Sequence, residues 1–311
     1  MRVLITGSSG FVGTNLISDL VKYKFSIIAL NRTVPSSLNK NLNILIYDDF
    51  WHNQIGANQY IHLAGKSHDL KNTSDESEYF KVNYELTKKL FDRFLRDEKA
   101  KTFIFISSVK AVADEVQGEL TEDHDLDPIT AYGRSKLKAE NYILDNLPDD
   151  KRVVILRPCM IHGPGNKGNL NLLYSIVSKG IPWPLGSFNN SRSFLSIENL
   201  CFVIKEALEG KLNTGVYHVS DDTPHSTNEL ICIISRVRNR KPRIWSIPKP
   251  IIKLTAKIGN VLPLPLNEER LEKLTENYLV SNKKIKKSLG IEQMPVSARD
   301  GMFRTIDSFE Q

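Results

Sequence analysis

A tyrosine and a lysine four residues apart form the motif with the most definite chemistry in this sequence. Tyr132 and Lys136 occur in the string AYGRSK at the start of a helical pattern, and residues four apart share one helix face. An unperturbed phenol titrates near ~10, and a neighbouring ammonium stabilises its phenolate form. The pair can therefore act as a proton donor or acceptor, although the same spacing is common on solvated helix faces.

A serine at the end of a buried strand favours the chemical explanation. The string FIFISSVKAVADE, residues 103–115, predicts an apolar strand that ends in Ser107 and Ser108, and Tyr132 follows Ser108 by 24 residues. In a parallel sheet, the carboxyl ends of successive strands converge on one crevice. We therefore predict that Ser108, Tyr132 and Lys136 are catalytic, and that Ser107 is a structural or cofactor-side neighbour.

The elements that must position these residues alternate between strand and helix. Amphipathic helical patterns separate continuously apolar runs, which predict strands at 2–7, 25–30, 43–49, 60–65 and 152–158. Such strands are buried on both faces, so we predict an α/β fold with a parallel sheet covered by helices on each side.

The texture of the sequence changes after residue 158, where Gly, Pro and Asn become frequent and predict loops. We expect a first domain at 1–165 and a smaller α/β domain formed mainly by 166–311. Residues near 193–222 are expected to return to the first domain, because GVYHVSD (215–221) predicts a strand that can join the sheet edge.

The turn after the first strand has glycine spacing typical of dinucleotide binding. In TGSSGFVG (6–13), the glycines close the turn and let the backbone approach a pyrophosphate, and the following helix N-terminus favours anions. Glycine-rich turns also occur for packing reasons, but the N-terminal βαβ context favours a cofactor. The predicted contacts are Gly7, Gly10, Phe11, Val12 and Gly13.

The end of the second strand predicts which dinucleotide is used. Asn31 and Arg32 occupy the place where an acidic residue would grip the ribose of NAD, and an arginine there can pair with a 2′-phosphate. NADP(H) is therefore favoured over NAD(H), with a plain surface location for Arg32 as the alternative. Asp48 and Asp49 are predicted to end the third strand as adenine contacts, or else to be turn formers.

The overall composition excludes several classes of protein. The chain has 311 residues, 41% of them hydrophobic and 25% charged, which is ordinary for a folded protein. Its net charge of +6 can attract anionic substrates, whereas the tract KKIKK (283–287) is interpreted as a solvated helix face, so no nucleic-acid partner is predicted. Three cysteines and seven histidines lack metal or disulfide spacing, which predicts no metal site and a reduced cytoplasmic setting.

The most apolar stretch near the C-terminus is PIIKLTAKIGNVLPLPL, residues 250–266. Lys, Gly and Pro interrupt it, so it is shorter than the roughly 18 unbroken apolar residues of a membrane span. We interpret it as a packed or partner-facing helix, with shallow membrane contact as the minor alternative.

Taken in order, TGSSGFVG, HLAG, ISSVKAV, AYGRSK, RPCMIHGPG and RSFLSIENL resemble the extended short-chain dehydrogenase/reductase family over nearly the whole chain. This family contains the nucleotide-sugar epimerases, dehydratases and reductases. The resemblance implies a Rossmann-type doubly wound sheet with a smaller substrate domain, and it assigns the catalytic serine, tyrosine and lysine to Ser108, Tyr132 and Lys136. It also implies a homodimer, and cofactor contacts at Leu63, Ala64, Gly65, Asn83, Ser107 and Pro158.

The same resemblance implies a substrate side. Arg192 matches an arginine that holds the diphosphate of the substrate, and its fork of donors suits phosphate oxygens; a loop salt bridge is the alternative. The loop GPGNKGN supplies further candidates in Asn166, Lys167 and Asn169, and Arg270 is a weaker one. Whether Lys110 also faces the substrate is left open.

The residues after Ser108 reduce the number of possible reactions. Dehydratases of this family carry an Asp-Glu pair there, and the enzymes that make GDP-fucose carry a cysteine, whereas this chain has Val109 and Lys110. The strings resemble most the reductases of UDP-4-keto-6-deoxy-N-acetylhexosamines, which serve surface polysaccharide synthesis. A UDP-hexose 4-epimerase is the alternative, and a non-catalytic dinucleotide-binding regulator is a distant third.

Overall fold

Parallel strands form the centre of the molecule in a computed structural model that describes residues 1–33, 42–67, 75–166, 168–261 and 266–310. The strands in chain order are β1 (Arg2–Thr6), β2 (Ser26–Asn31), β3 (Asn43–Ile46), β4 (Gln59–His62), β5 (Thr102–Ile106), β6 (Glu119–Leu120), β7 (Arg152–Pro158), β8 (Met160–His162), β9 (Phe194–Ser196), β10 (Gly215–Val219) and β11 (Leu279–Val280). Seven of them form one sheet in the order β10-β7-β5-β4-β1-β2-β3.

Helices cover both faces of this sheet and build the C-terminal part. They are α1 (Phe11–Leu20), α2 (Tyr47–His52), α3 (Glu76–Tyr79), α4 (Leu86–Arg96), α5 (Ala131–Asp145), α6 (Asn169–Ser178), α7 (Ile197–Leu208), α8 (Thr227–Val237), α9 (Lys249–Val261), α10 (Glu268–Thr275), α11 (Lys283–Leu289) and α12 (Ala298–Asp307). A π-helical segment, Phe80–Glu85, joins α3 to α4.

Alternate side chains of each central strand feed two cores, because successive residues of a strand point to opposite faces. On β1, Val3 and Ile5 pack with α1 and α7, whereas Leu4 packs on the other face with α4 and α5. On β5, Ile104 lies in the first core and Phe103 in the second. Both cores are buried, so the prediction of a doubly wound parallel α/β sheet is confirmed.

The order of the strands reverses at β1, and this reversal places the site. Chain connections run outward from β1 through β2 to β3 on one side, and from β4 through β5 to β7 on the other. Thr6 and His62 are register partners at the carboxyl ends of β1 and β4. In open α/β sheets, ligands bind in the crevice outside such a switch point.

The third strand is shorter than the sequence predicted. It ends at Ile46, and residues 47–52 form α2, so Asp48 and Asp49 lie exposed in the first turn of a helix rather than at a strand end. The physical reason is that acidic side chains are favourable near a helix N-terminus, and the helix buries Phe50 against the sheet.

The C-terminal part of the chain is not separate from the sheet. After β9 and α7, β10 pairs in parallel with β7 at the edge of the sheet, with Val219 opposite Pro158. Helices α6, α8, α9, α10 and α12 pack around two smaller apolar clusters that contain Leu230 and Ile252 respectively, whereas α11 packs on β10 in the main core. The division into domains at residue 165 stays a prediction.

Candidate active site

The catalytic candidates Ser108, Tyr132 and Lys136 lie together at the carboxyl end of β5. The Ser108 hydroxyl hydrogen-bonds the phenol of Tyr132. The Lys136 ammonium donates a hydrogen bond to the Ile106 carbonyl at 2.8 Å and lies 4.7 Å from the centre of the Phe105 ring. The structure therefore brings together the three side chains that the sequence singled out.

Burial changes the proton affinity of both titratable members of this group. It raises the pKa of Tyr132 above the ordinary phenol value, and the Ser108 hydrogen bond opposes part of that rise. Burial lowers the pKa of Lys136 to about 8, with Glu140 opposing. At neutral pH Tyr132 is thus a neutral phenol that can donate a proton, beside a lysine close to its own titration.

A buried ion pair supports the lysine from the next turn of α5. Glu140 is fully buried, and Nε of Arg157 donates to both of its carboxylate oxygens at 3.1 Å, while a second guanidinium nitrogen donates at 2.6 Å. Arg157 lies on β7, so the pair ties α5 to the sheet. The Glu140 charge also offsets the desolvation of the Lys136 ammonium.

The start of α5 is fixed by two polar side chains. The Thr130 hydroxyl accepts a hydrogen bond from the Gly133 N–H at 3.2 Å and so caps the helix. The Asp114 carboxylate accepts from the N–H groups of Ile129 and Thr130 at 2.8 and 2.9 Å. These contacts hold Tyr132, in the first turn, against the segment that follows β5.

Asn83 lies in the π-helical segment and organises the opposite wall. Its amide donates to the Lys66 carbonyl and to the Ser135 hydroxyl at 2.9 Å each, and its oxygen accepts from the Lys66 N–H at 2.8 Å. A Cβ on Gly65 would lie 3.1 Å from this oxygen and 3.2 Å from Lys136 Nζ. Residues 63–65 therefore run between the two helices, as a close approach that a glycine permits.

The glycine turn after β1 has little room for side chains. Gly7 has φ +67°, and a Cβ there would lie 2.7 Å from the Ala64 nitrogen. A Cβ on Gly13 would lie 2.3 Å from the Gly7 carbonyl oxygen, so α1 packs directly on the turn. Gly10 precedes α1 without a side-chain cap, and Phe11 and Val12 form its first turn beside the crevice.

Asn31 and Arg32 end β2 next to this turn. The Asn31 side chain is buried and accepts a hydrogen bond from the Ser8 hydroxyl at 2.8 Å, whereas Arg32 is exposed. The positive charge of Arg32 offsets part of the rise that burial causes in the pKa of Tyr47, at the start of α2. The arginine, together with Asp48 and Asp49, thus marks the outer edge of the crevice.

Lys110 contacts the segment that follows β5 and the ring of Tyr278. Its ammonium donates to the Asp114 carbonyl at 2.7 Å and lies 4.3 Å from the centre of the Tyr278 ring. The Tyr278 hydroxyl in turn donates to the Ala113 carbonyl at 2.7 Å. Lys110 therefore joins the segment after β5 to the C-terminal part of the chain, with about a third of its side chain exposed.

The predicted diphosphate ligand Arg192 lies in the same area. Its guanidinium pairs with the Glu276 carboxylate at 2.9 Å, and its backbone exchanges two hydrogen bonds with that of His225. The flanking residues 191 and 193 hydrogen-bond the backbone of Tyr278. The loop salt bridge that the sequence allowed is thus present. The side chain of Arg192 is 19% exposed, and, together with burial, its positive charge contributes to lowering the pKa of Lys110.

The other predicted substrate residues lie on two segments. Asn166 is partly exposed in the loop whose Gly163 packs against Phe11 and Ile197, which joins this loop to the start of α1. Asn169 is the first residue of α6, and Arg270 is exposed on α10. Lys167 lies outside the described residues.

Comparison with known proteins establishes the family. Residues 3–220 match the family model described as "NAD dependent epimerase/dehydratase family". The chain belongs to this family. The resemblance to the extended short-chain dehydrogenase/reductases, and the interpretation as an enzyme, are confirmed.

Three curated relatives illustrate the range of this epimerase/dehydratase family. A "UDP-glucose 4-epimerase" of Vibrio cholerae is 33% identical over 99% of this chain and 95% of its own length. The "N-acetyl-alpha-D-glucosaminyl-diphospho-ditrans,octacis-undecaprenol 4-epimerase" of Escherichia coli O157:H7 is 27% identical over 92% and 85%. A "UDP-2-acetamido-2,6-beta-L-arabino-hexul-4-ose reductase" of Pseudomonas aeruginosa is 26% identical over 89% and 66%.

The solved structures agree on the fold. The UDP-glucuronic acid 4-epimerase of Bacillus cereus, in complex with NAD, has a TM-score of 0.76 and 20% identity, and the match covers 100% of this chain and 99% of that one.

Across the described ranges, no group of three or more His, Cys, Asp or Glu side chains could hold a metal, and no helix is long and apolar enough to cross a membrane.

The crevice of this family member has features that fit a dinucleotide. The close approaches at Gly7 and Gly13 leave backbone, rather than side chains, facing the crevice, and the uncapped first turn of α1 offers free N–H groups. The buried Ser107 hydroxyl has no hydrogen-bond partner within the described part of the chain. We propose that these groups, with residues 63–65 and Pro158, hold the cofactor.

Gly133 is a positioning residue that the sequence analysis missed. A Cβ there would lie 2.3 Å from the Lys110 carbonyl oxygen and 2.9 Å from Pro128 Cβ, so only a glycine lets α5 approach the segment after Ser108 this closely. A glycine costs helix stability relative to alanine, and its presence between Tyr132 and Lys136 was the available signal.

We expect Gly133→Ala to lower the free energy of unfolding by about 1–3 kcal/mol, because α5 must move away from the Lys110 carbonyl. The same displacement separates Tyr132 from Ser108 and is expected to reduce kcat on the order of 10–100-fold. Denaturant unfolding and steady-state kinetics measure both. Gly168→Ala is the control for unfolding, since a Cβ there meets open space; unchanged kcat and stability in Gly133→Ala would contradict the role.

Proposed function

We propose that this protein is an NAD(P)-dependent nucleotide-sugar 4-ketoreductase that reduces the C4 ketone of a UDP-4-keto-6-deoxy-N-acetylhexosamine. The observation that carries the proposal is the group of Ser108, Tyr132 and Lys136 beside the glycine turn, with a neutral, partly buried phenol as its proton donor. A bound nicotinamide dinucleotide supplies the hydride that this chemistry needs.

The protein's own groups perform the acid–base part. Tyr132 gives its proton to the C4 oxygen, and Ser108 donates a hydrogen bond to the same oxygen, which orients the ketone. Lys136 stabilises the phenolate left on Tyr132, because an ammonium close to a phenolate lowers the pKa of the phenol. Glu140 and Arg157 keep Lys136 in place from behind.

The two residues after Ser108 are not those that a 4,6-dehydratase needs. Val109 is 3% exposed and packs in the core, and the Lys110 ammonium is held by the Asp114 carbonyl and the Tyr278 ring. Neither residue can supply the carboxylate acid and base that removal of a C5 proton and loss of the C6 hydroxyl require.

The UDP group is assigned to the side of the crevice that carries Arg192. A guanidinium carries its donors in a fixed fork, which suits a diphosphate, and the contacts with the Glu276 carboxylate and carbonyl hold this fork on the proposed substrate side. Asn166 and Arg270 are proposed as further contacts on the loop before α6 and on α10. Two of the three relatives are named for UDP-linked sugars.

The cofactor is proposed to be NADP(H), with NAD(H) as the alternative. Asn31 offers no carboxylate to a ribose 2′-hydroxyl, and Arg32 at the crevice edge can pair with a 2′-phosphate. We expect Arg32→Ser to raise the KM for NADPH about tenfold and to change the KM for NADH less than about threefold, as for a single exposed phosphate contact. Equal effects on both cofactors would contradict this role.

A UDP-hexose 4-epimerase is the second candidate, and the 33% identity to a 4-epimerase favours it. The same residues serve there, with Tyr132 first removing the proton of the C4 hydroxyl and later returning it. The two reactions differ in whether reduced cofactor is consumed.

That difference is the test. Purified protein receives NADPH and a UDP-4-keto-6-deoxy-N-acetylhexosamine, and in parallel UDP-GlcNAc or UDP-Gal without added cofactor. One NADPH oxidised per sugar reduced supports the ketoreductase, whereas interconversion of C4 epimers without net oxidation establishes the epimerase and rejects the reductase. Absence of both reactions would reject each candidate.

A further inference from the structure

Helix α9 carries an apolar stripe on its exposed face. Ile252 and Ala256 are buried against Trp183, Leu185 and Leu271. The opposite face presents three large apolar side chains, spaced three and four residues apart: Ile251, Leu254 and Ile258, which are 55%, 61% and 45% exposed. Residues at this spacing form a continuous stripe along a helix.

Basic side chains flank this stripe. Lys249, Lys253 and Lys257 recur every four residues along α9 and are all exposed. An interfacial helix combines lysines, which reach toward lipid headgroups, with apolar residues that enter the acyl boundary.

The positive charge of the protein is concentrated in this region. Residues 230–267 contain eight Lys and Arg and no Asp or Glu. The whole chain has 42 basic and 36 acidic side chains, so the remainder has 34 and 36 and is slightly acidic. The net charge of +6 is therefore a property of one region rather than of the whole surface.

A basic cavity lies in the segment that leads into α9. It has a volume of about 320 Å³, and Arg238, Arg240, Lys241 and Arg243 line it together with the half-exposed Ile181. Trp245 follows directly and is 57% exposed, which is a preferred side chain at membrane interfaces. Arg243 and Arg240 are held by the carbonyls of Gly180 and Ser178, so the cavity is preformed.

We propose that α9 and this basic segment form a docking surface for an anionic lipid bilayer. The charge of the region is complementary to anionic headgroups, and the exposed stripe can enter the interface to a shallow depth. A 13-residue helix is about 20 Å long and cannot span the roughly 30 Å hydrocarbon core, so the contact is peripheral.

The surface adjoins the proposed substrate side. Helix α9 packs on α10, where Ala256 and Leu271 share one cluster and the Asn260 oxygen accepts a hydrogen bond from the Glu268 N–H at 3.2 Å. Helix α10 carries Arg270 and leads to Glu276, the partner of Arg192. Docking through α9 therefore brings this side of the crevice close to the bilayer.

Vesicle flotation with the full chain tests the proposal. At about 0.1 M salt, we expect the wild type to float with vesicles of phosphatidylglycerol and phosphatidylethanolamine and not with pure phosphatidylcholine. Lys253→Glu with Lys257→Glu is expected to reduce the partition coefficient at least about tenfold, and Leu254→Gln with Ile258→Gln at least about fivefold.

Matched controls distinguish binding through α9 from effects of net charge or exposed apolar surface in general. Lys283→Glu with Lys287→Glu changes the net charge by the same amount at exposed positions of α11. Val21→Gln removes an exposed apolar side chain that is distant in sequence from α9. Both should float like the wild type. No flotation of the wild type, equal losses in the controls, or a dimer in light scattering that the α9 substitutions dissociate would overturn the proposal. Turnover of a UDP sugar in solution is measured separately and does not depend on α9.

Discussion

Tyr132→Phe is expected to reduce kcat by about 10²–10⁴-fold while leaving dinucleotide affinity within about twofold of the wild type. The substitution removes only the hydroxyl that donates the proton and that hydrogen-bonds Ser108. The ring remains, and it packs edge-on against Tyr79 with ring centres 6.4 Å apart, so the helix start keeps its packing. Steady-state kinetics and fluorescence titration of the reduced dinucleotide measure the two quantities.

The matched control is Tyr142→Phe on the same helix. Its hydroxyl donates to the Asp92 carboxylate at 2.5 Å, on the outer side of α5 and away from Ser108. This variant should retain the kcat of the wild type. Substantial turnover by Tyr132→Phe, or an equal loss in both variants, would mean that the phenol of Tyr132 is not the proton donor.

Lys136→Met is expected to abolish measurable turnover and yet to stabilise the folded protein at neutral pH. The ammonium is buried and its pKa is lowered to about 8, so holding it charged in the folded state opposes folding by up to about 3 kcal/mol. The hydrogen bond to Ile106 returns about 1 kcal/mol of that. We therefore expect a net gain of about 1–3 kcal/mol in the free energy of unfolding.

The pH dependence fixes the sign of this prediction. Below pH 8 the lysine is charged in both states and the wild type bears the full penalty. Between about 8 and 10.5 the unfolded chain binds more protons than the folded one, so wild-type stability rises and the advantage of Lys136→Met disappears. Denaturant unfolding of both proteins at several pH values measures this difference in the free energy of unfolding. Lys138→Met, exposed on the same helix, is the control and should show no such convergence; a destabilised Lys136→Met would contradict the account.

The architecture was predictable because its signals are local. Continuous apolar runs predicted the parallel sheet, and glycine spacing with the βαβ context predicted the turn after β1, where Gly7 needs a left-handed backbone and Gly13 a close approach. The convergence of Ser108 and Tyr132 followed from a general property of parallel sheets rather than from their separation along the chain.

The features that the sequence did not predict depend on distant residues. Lys110 contacts Tyr278, which is 168 residues away, and Arg192 pairs with Glu276, so no local pattern could assign their orientation. Asp48 and Asp49 follow an apolar strand of only four residues and lie in a helix. A strand this short does not show in the sequence pattern where it ends and the helix begins. The cavity before α9 depends on packing between segments separated by about 60 residues.

Deuterium transfer from NADPH with deuterium at both C4 positions of the nicotinamide tests the central claim most directly. With a UDP-4-keto-6-deoxy-N-acetylhexosamine as substrate, we predict a product with one deuterium bound to C4, formed in equal amount to the oxidised cofactor and absent with Tyr132→Phe. Mass spectrometry and NMR locate the label. A product without deuterium at C4, or reduction that persists in Tyr132→Phe, would contradict the proposed reduction at C4 by this site.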